Sequence, residues 1–314
     1  MLDDLYQSLA HAQAARDQRA EVAALRQIAE AYQTLGQSQE AIDHYQTALT
    51  VARELAEQDA EAAILHALGM VYSNLGEMPR ALECYRRALE IRRAIGDRTG
   101  ESATLNNIAV VHSARGQKKE ALKYYLRALE IDTELGDRGG EAITLNNIGE
   151  IYRALNRPRD AITYYRQALS LQREIGNRRS EAITLNNIGE LNFQEGLLEA
   201  ALTHFQHAVA LRREVNDRRG EAITLDNLGQ VYRALGRLSD ALPHAQQALS
   251  IVREIDDRWL EAQMLHHVAL LLAEAGRPAE ARHHLDQAVA LAEVIEHPQL
   301  AQFAAARDRL ASAG

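Results

Sequence analysis

The sequence predicts an all-α fold, a solenoid of antiparallel helix pairs, on three observations. First, the stretch EAITLNNIGEIYRALNRPRDAITYYRQALSLQREIGNRRS that opens at Glu141 starts again at Glu181 and at Glu221. Self-similarity at a fixed period marks stacked units rather than one globular core. Second, apolar residues recur twice within each period at helical spacing. Third, Gly or Asn stands where one helix must end and the next begin, a position that favours the left-handed backbone.

The chain then divides in order. Residues 1–20 read as the second half of a repeat, an N-terminal cap helix: Leu5, Leu9 and Ala15 align with Tyr165, Leu169 and Ile175. Such a start fits a natural cap or a fragment of a longer protein, and the reading leans to the fragment. Full 40-residue units follow without insertion or deletion at 21–60, 61–100, 101–140, 141–180, 181–220, 221–260 and 261–300. Residues 301–314 read as a more polar C-terminal capping helix, with Pro298 at its first position. Inside the fourth unit, Leu145, Ile148, Gly149, Tyr152 and Leu155 share one face of a first helix, which Asn156-Arg157-Pro158 breaks. Ala161, Ile162, Tyr165, Ala168 and Leu169 carry the second helix, and Gly176 stops it. Asp97, Asp137 and Asn177 are placed to cap the first helices. Two columns, Ala41 to Ala281 and Ala48 to Ala288, keep Ala every 40 residues, where a larger side chain would hold two helices apart.

Composition narrows the function classes. With 35 Lys+Arg against 44 Asp+Glu, the net charge of −9 speaks against a nucleic-acid backbone as ligand. The sequence has neither an 18-residue apolar run nor a secretory signal, so the expectation is a cytoplasmic protein with no membrane association. A single cysteine, Cys84, gives no disulfide framework.

Leu145-x2-Ile148-Gly149-x2-Tyr152 followed by Ala161-x3-Tyr165-x2-Ala168 resembles the tetratricopeptide repeat (TPR) pattern position for position, with Leu for the usual Trp. The 40-residue period and the junction from Gly136 to Ala142 are similar to the arrays of kinesin light chains, Pins-type adaptors and bacterial TPR regulators. The resemblance implies a right-handed superhelix whose first helices line a concave groove. It implies a binding module rather than an enzyme, without cofactor or metal, and leaves the partner open.

On a helical wheel of the fourth first helix, Ile143, Asn147, Glu150 and Ala154 lie opposite the packing face, flanked by Asn146 and Arg153. Asn recurs along this stripe: Asn107, Asn147, Asn187 and Asn227, beside Asn106, Asn146, Asn186 and Asp226. Each helix-interior Asn costs roughly 0.6 kcal/mol relative to Ala, so something must offset it. Asn offers a donor and an acceptor, suited to the backbone of an extended peptide; kinesin-light-chain-like grooves are similar in this. The alternative is that these side chains join neighbouring repeats, and the Asn106 row, nearer the helix flank, reads that way. Around the stripe, Ile143, Ile183 and Ile223 form an apolar column, Glu150 and Glu190 add acidity, and Arg153 and Arg233 offer to hold a carboxylate. The fifth unit puts Asn192 at the Tyr position and Phe193 on the stripe side, either an anchor pocket for a ligand or a local repacking.

Arg98, Arg138, Arg178, Arg218 and Arg258 each stand three residues before a Glu, the spacing of a surface ion pair rather than a phosphate site. His266, His267, His283, His284 and His297 read as a solvated face, since adjacent histidines on a helix diverge by about 100°. No nucleophile elbow or phosphate loop occurs. The sequence therefore predicts a protein interaction module that holds an extended peptide. Its alternatives are the ligand-sensing arm of a larger signalling protein, or a scaffold that self-associates through its terminal repeats.

Overall fold

The computed structural model describes residues 2–312, among which there are 16 α-helices and no strand. The chain divides into two compact units, Met1–Ala161 and Ile162–Gly314. The first holds α1 (Leu2–Ala15), α2 (Gln18–Thr34), α3 (Ser38–Glu54), α4 (Gln58–Asn74), α5 (Met78–Ile95), α6 (Arg98–Ala114), α7 (Lys118–Leu135) and α8 (Arg138–Ala154). Then comes α9 (Pro158–Glu174). The second holds α10 (Arg178–Gln194), α11 (Leu198–Glu214), α12 (Arg218–Ala234), α13 (Leu238–Glu254), α14 (Arg258–Glu274), α15 (Pro278–Val294) and α16 (Leu300–Ser312).

Within each unit, helices next to one another in sequence are next to one another in space. α2 pairs with α3, α4 with α5 and α6 with α7, and each second helix also packs on the following first helix. The same holds for α10 with α11, α12 with α13 and α14 with α15. The caps explain the phase. Asp17, Asp97, Asp137, Asn177, Asp217 and Asp257 each accept from the backbone N–H three residues on, at 2.8–3.1 Å. In the first six 40-residue sequence periods, the last three residues thus already belong to the next first helix.

All seven residues of each Ala column are fully buried. The chain also exploits glycine for close approach: a Cβ on Gly69 would stand 2.6–2.9 Å from the ring of Tyr85, and one on Gly189 2.7–3.0 Å from Phe205. An aromatic from the second helix therefore lies flat on the first, and the large buried side chains Tyr45, Tyr85, Tyr165 and Phe205 occupy that one repeat position. Each core is a continuous series of such contacts, as a stack of units that cannot bury their faces alone requires.

At the junctions the ion pairs go further than sequence spacing suggested. Buried Glu101 receives both Arg93 and Arg98 at 2.8 Å; Glu181 receives Arg173 (2.7 Å) and Arg178 (2.9 Å); Glu221 receives Arg213 (2.7 Å) and Arg218 (2.8 Å). Arg258 departs from its column: it pairs with Asp256 at 3.3 Å, while Arg253 holds Glu261 at 2.7 Å.

Two expectations change at the C-terminal end. Pro298 lies in a turn ahead of α16, which begins at Leu300, so it is not the helix's first residue. The end is also less polar than expected, since Phe303 of α16 is buried. Residues 313 and 314 of the expected cap lie outside the described residues.

Candidate functional site

The polar stripe of the first helices forms in both units, and much of it joins repeat to repeat. In the first unit, Asn106 Nδ2 donates to Thr144 Oγ1 of the next repeat at 2.8 Å. The Thr144 hydroxyl in turn donates to Asp132 Oδ2 at 2.9 Å. Asn107 Nδ2 lies 3.0 Å from His66 Nε2 of the preceding repeat. Burial, helped by Arg92, pushes His66 down to about 4, so its ring is neutral and accepts the amide's hydrogen.

In the second unit, Asn186 Oδ1 accepts from Thr224 Oγ1 at 3.0 Å and from Asn227 Nδ2 at 3.2 Å. Asn186 Nδ2 donates to Glu190 at 2.8 Å. One repeat on, the same rung joins Asp226 Oδ2 to His267 Nδ1 at 2.8 Å. Asn106, Asn186 and Asp226 thus link repeats, as the flank position suggested. Asn107 and Asn227 also spend a donor on the preceding repeat, which composition alone did not reveal: the residue 41 positions earlier stands opposite them across the helix–helix contact. Asn146 and Asn187 are half-buried and also engaged. Asn147, half-buried, makes no side-chain hydrogen bond among the described residues.

The apolar column is uneven. Ile143 is 51% exposed and Ile183 40%, whereas Ile223 is half-buried against the core. The two arginines expected to hold a ligand carboxylate hold the chain's own. Arg153 pairs with Glu150 at 2.8 Å, one turn away on the same helix. Arg233 grips both oxygens of Glu274 at 2.5–3.0 Å, and that pair raises its pKa. Phe193 is partly buried against the second core and shares a pocket of about 380 Å³ with Gln230, Arg233, Ala234 and Glu274. Beside it, Asn192 fills the Tyr position, buried and bonded to His204 at 3.2 Å.

Of the histidines near the C-terminus, His283 is exposed and His267 and His284 are half-buried, so only part of the expected solvated face forms. His266 and His297 are buried, their rings 4.9 and 5.3 Å from Phe303. Burial pushes His266 down to about 4. Apolar Phe303, read as part of a polar cap, is what turns these rings inward. Among the described residues no group of three His, Cys, Asp or Glu converges as a metal site. Cys84 is half-buried and burial pushes its thiol up, the opposite of an activated nucleophile. No described helix is long and apolar enough to cross a membrane.

Models of the tetratricopeptide repeat match residues 20–94, 60–134, 100–174, 180–254 and 262–295. The chain belongs to the tetratricopeptide repeat family. Its repeats resemble solved TPR structures at low identity. The apo quorum sensor NprR from B. thuringiensis is 18% identical with a TM-score of 0.74, over 92% of this chain and 82% of that one. A signal transduction ATPase with a tetratricopeptide repeat sensor, from Pyrococcus horikoshii, is 22% identical with a TM-score of 0.71, over 93% of this chain but only 45% of its own. The kinesin-light-chain-like repeats of Podosopora anserina are 15% identical with a TM-score of 0.53, over 62% of this chain and 95% of that one. At these identities the likeness is one of fold. No curated protein matches the chain.

Proposed function

We propose that this TPR chain is a protein interaction module whose first helices take up an extended peptide segment. The observation that carries the proposal is the surface around Asn147: a half-buried amide with no internal hydrogen bond beside an isoleucine, Ile143, left half in water. A peptide backbone gives such an amide its missing partners, and a peptide side chain covers the isoleucine. In the second unit, Ile183 and the pocket of Phe193 offer the matching apolar contacts. No catalytic constellation accompanies these surfaces.

Panning a peptide library against the parent and an Asn147→Ala variant tests this. Asn147 is the better target than the whole Asn row, because Asn107 and Asn227 also join repeats. Enrichment on the parent that weakens about tenfold on a fully helical variant supports the reading, the size expected for lost polar contacts to a peptide. Equal enrichment on both places binding elsewhere, and no enrichment on either sinks it.

The likeness to the repeat sensor of the Pyrococcus horikoshii ATPase favours a second reading, a ligand-sensing arm of a signalling protein. An effector domain encoded in the same polypeptide would support it. Self-association through the terminal repeats is tested by sedimentation, where a concentration-independent monomer excludes it.

A further inference from the structure

Position 132 belongs to a buried column in the second helices that reads Arg92, Asp132, Gln172 and Arg212 every 40 residues. At two of these junctions the chain fills a niche with its own guanidinium. Arg92 lies 3.5 Å from the capping carboxylate of Asp97 and donates to Gly100 O at 2.5 Å and Thr104 Oγ1 at 2.7 Å. Arg212 lies 3.7 Å from the capping Asp217. Glycine makes the room: a Cβ on Gly100 would stand 2.6 Å from Arg92 Nε, and one on Gly220 1.7 Å from an Arg212 terminal nitrogen.

The junction that follows the Arg92 one keeps the niche and loses the arginine. Gly140 retains the small residue and Asp137 the capping carboxylate, but Asp132 stands where the arginine would. Asp132 is 2% exposed and accepts only from the hydroxyls of Ser102 and Thr144. Among the described residues neither Asp132 nor Asp137 has a cationic partner. The vacated space is a pocket of about 250 Å³, which Asn106, Asn107 and Ile143 also line. It therefore opens on the stripe described above. A buried carboxylate without a counter-charge is costly, and a guanidinium matches paired carboxylates better than an ammonium does.

The geometry points to this pocket as a guanidinium-binding subsite, filled by an arginine side chain of a bound peptide in the way Arg92 and Arg212 fill the equivalent niches from within. That the arginine arrives on a peptide rests on the function proposed above; that the pocket takes a guanidinium does not.

The test uses the full chain and calorimetric or NMR titration with three probes: acetyl-Ala-Ala-Arg-Ala-Ala-amide, the same peptide with neutral citrulline for Arg, and Nα-acetyl-arginine amide. The arginine peptide is expected to bind at least about tenfold more tightly than the citrulline peptide, the worth of one charge-assisted contact. Asp132→Arg restores the resident guanidinium and is expected to abolish the preference. Asp132→Asn removes the charge, keeps one acceptor oxygen for Ser102 or Thr144 and turns an amide donor to the other hydroxyl oxygen, and it is expected to reduce the preference, even should the arginine variant fold poorly. Arginine and citrulline peptides binding alike, or neither binding, overturns the subsite. The amino-acid amide binding as well as the peptide keeps the guanidinium site and overturns the peptide as its source. Panned peptides that bind through Asn147 without any arginine preference leave the interaction module standing while this inference fails.

Discussion

Thr224 donates its buried hydroxyl to Asn186 Oδ1 at 3.0 Å, joining two first helices one repeat apart. Both residues are almost without solvent contact, so neither group finds water if the other is removed. Thr224→Val, which keeps the shape and removes the hydroxyl, is expected to cost about 1 kcal/mol, and Asn186→Ala about 1–3 kcal/mol. A double-mutant cycle read from urea unfolding of the whole chain should return a coupling of about 1 kcal/mol. Additive losses would mean that the rung contributes nothing across the repeat boundary.

Glu181 sits buried between Arg173 and Arg178, both half exposed. Burial alone would raise its pKa; the two guanidinium hydrogen bonds overcome that and hold it below the ordinary carboxylate range. A depressed carboxylate adds stability above its unfolded pKa and loses it as the pH falls through the folded value. Glu181→Gln is expected to lower stability at pH 7 by about 2 kcal/mol, by weakening charge-assisted bonds to both arginines. It should also flatten the acid limb of the stability–pH curve below about pH 4.5, near the usual carboxylate pKa. Removing Arg173 alone should cost less, since Arg178 remains.

The architecture was legible in the sequence because it is written many times over. The Ala columns, the junction caps and the Arg–Glu spacing each recur every 40 residues, and a repeated residue is averaged over local accidents. What spacing could not show was pairing between repeats. Asn107 faces His66 and Asn227 faces Asn186 only because adjacent first helices bring residues 41 apart side by side. A helical wheel of one unit has no place for the neighbour, so the amides looked free. Arg153 and Arg233 misled for a related reason: Glu150 is one turn away, but Glu274 comes from the next repeat. The pocket at Asp132 was signalled by a residue that breaks its own column, an acid where Arg92 and Arg212 stand. His266 and His297 were misplaced because Phe303, against which they pack, lies beyond the last full period, where the repeat pattern offers no guide.

His267 carries a pH signature. Burial pushes its pKa down, as does Arg233, yet the charge and hydrogen bond of Asp226 outweigh them and hold the ring above the ordinary histidine value. Its neighbour His266, pushed down to about 4, stays neutral and does not titrate in the same range. A raised histidine adds stability that is complete below the unfolded pKa of about 6.5 and is lost as the pH climbs through the folded value. Urea midpoints of the parent should therefore slope downward as the pH rises above about 6.5, the unfolded value, and His267→Gln should remove that slope. An NMR titration placing the His267 ring below 6.5 would show the Asp226 pair to be too weak for this.

Ala56 holds a left-handed backbone, φ 55°, at the end of α3, where the aligned junctions have Gly96, Gly136 and Gly176. For an alanine that conformation costs about 1–2 kcal/mol in the folded chain, because its Cβ crowds the following carbonyl. The side chain is exposed, so it returns no packing energy. Its backbone N–H bond to Arg53 O, 3.0 Å, survives any substitution but proline. Glycine removes the crowding but has more freedom to lose on folding, roughly 0.5–1 kcal/mol. The balance predicts that Ala56→Gly stabilises the chain by about 0.5–1 kcal/mol, a change that touches no other residue. The reverse substitution, Gly96→Ala at φ 77°, should destabilise it by a similar amount. Urea midpoints that rise for Ala56→Gly and fall for Gly96→Ala would show that the junction conformation, and not the contacts of α3, sets the difference. A fall for Ala56→Gly with a rise for Gly96→Ala would instead locate the effect in the unfolded chain, where glycine's freedom outweighs the relief of strain.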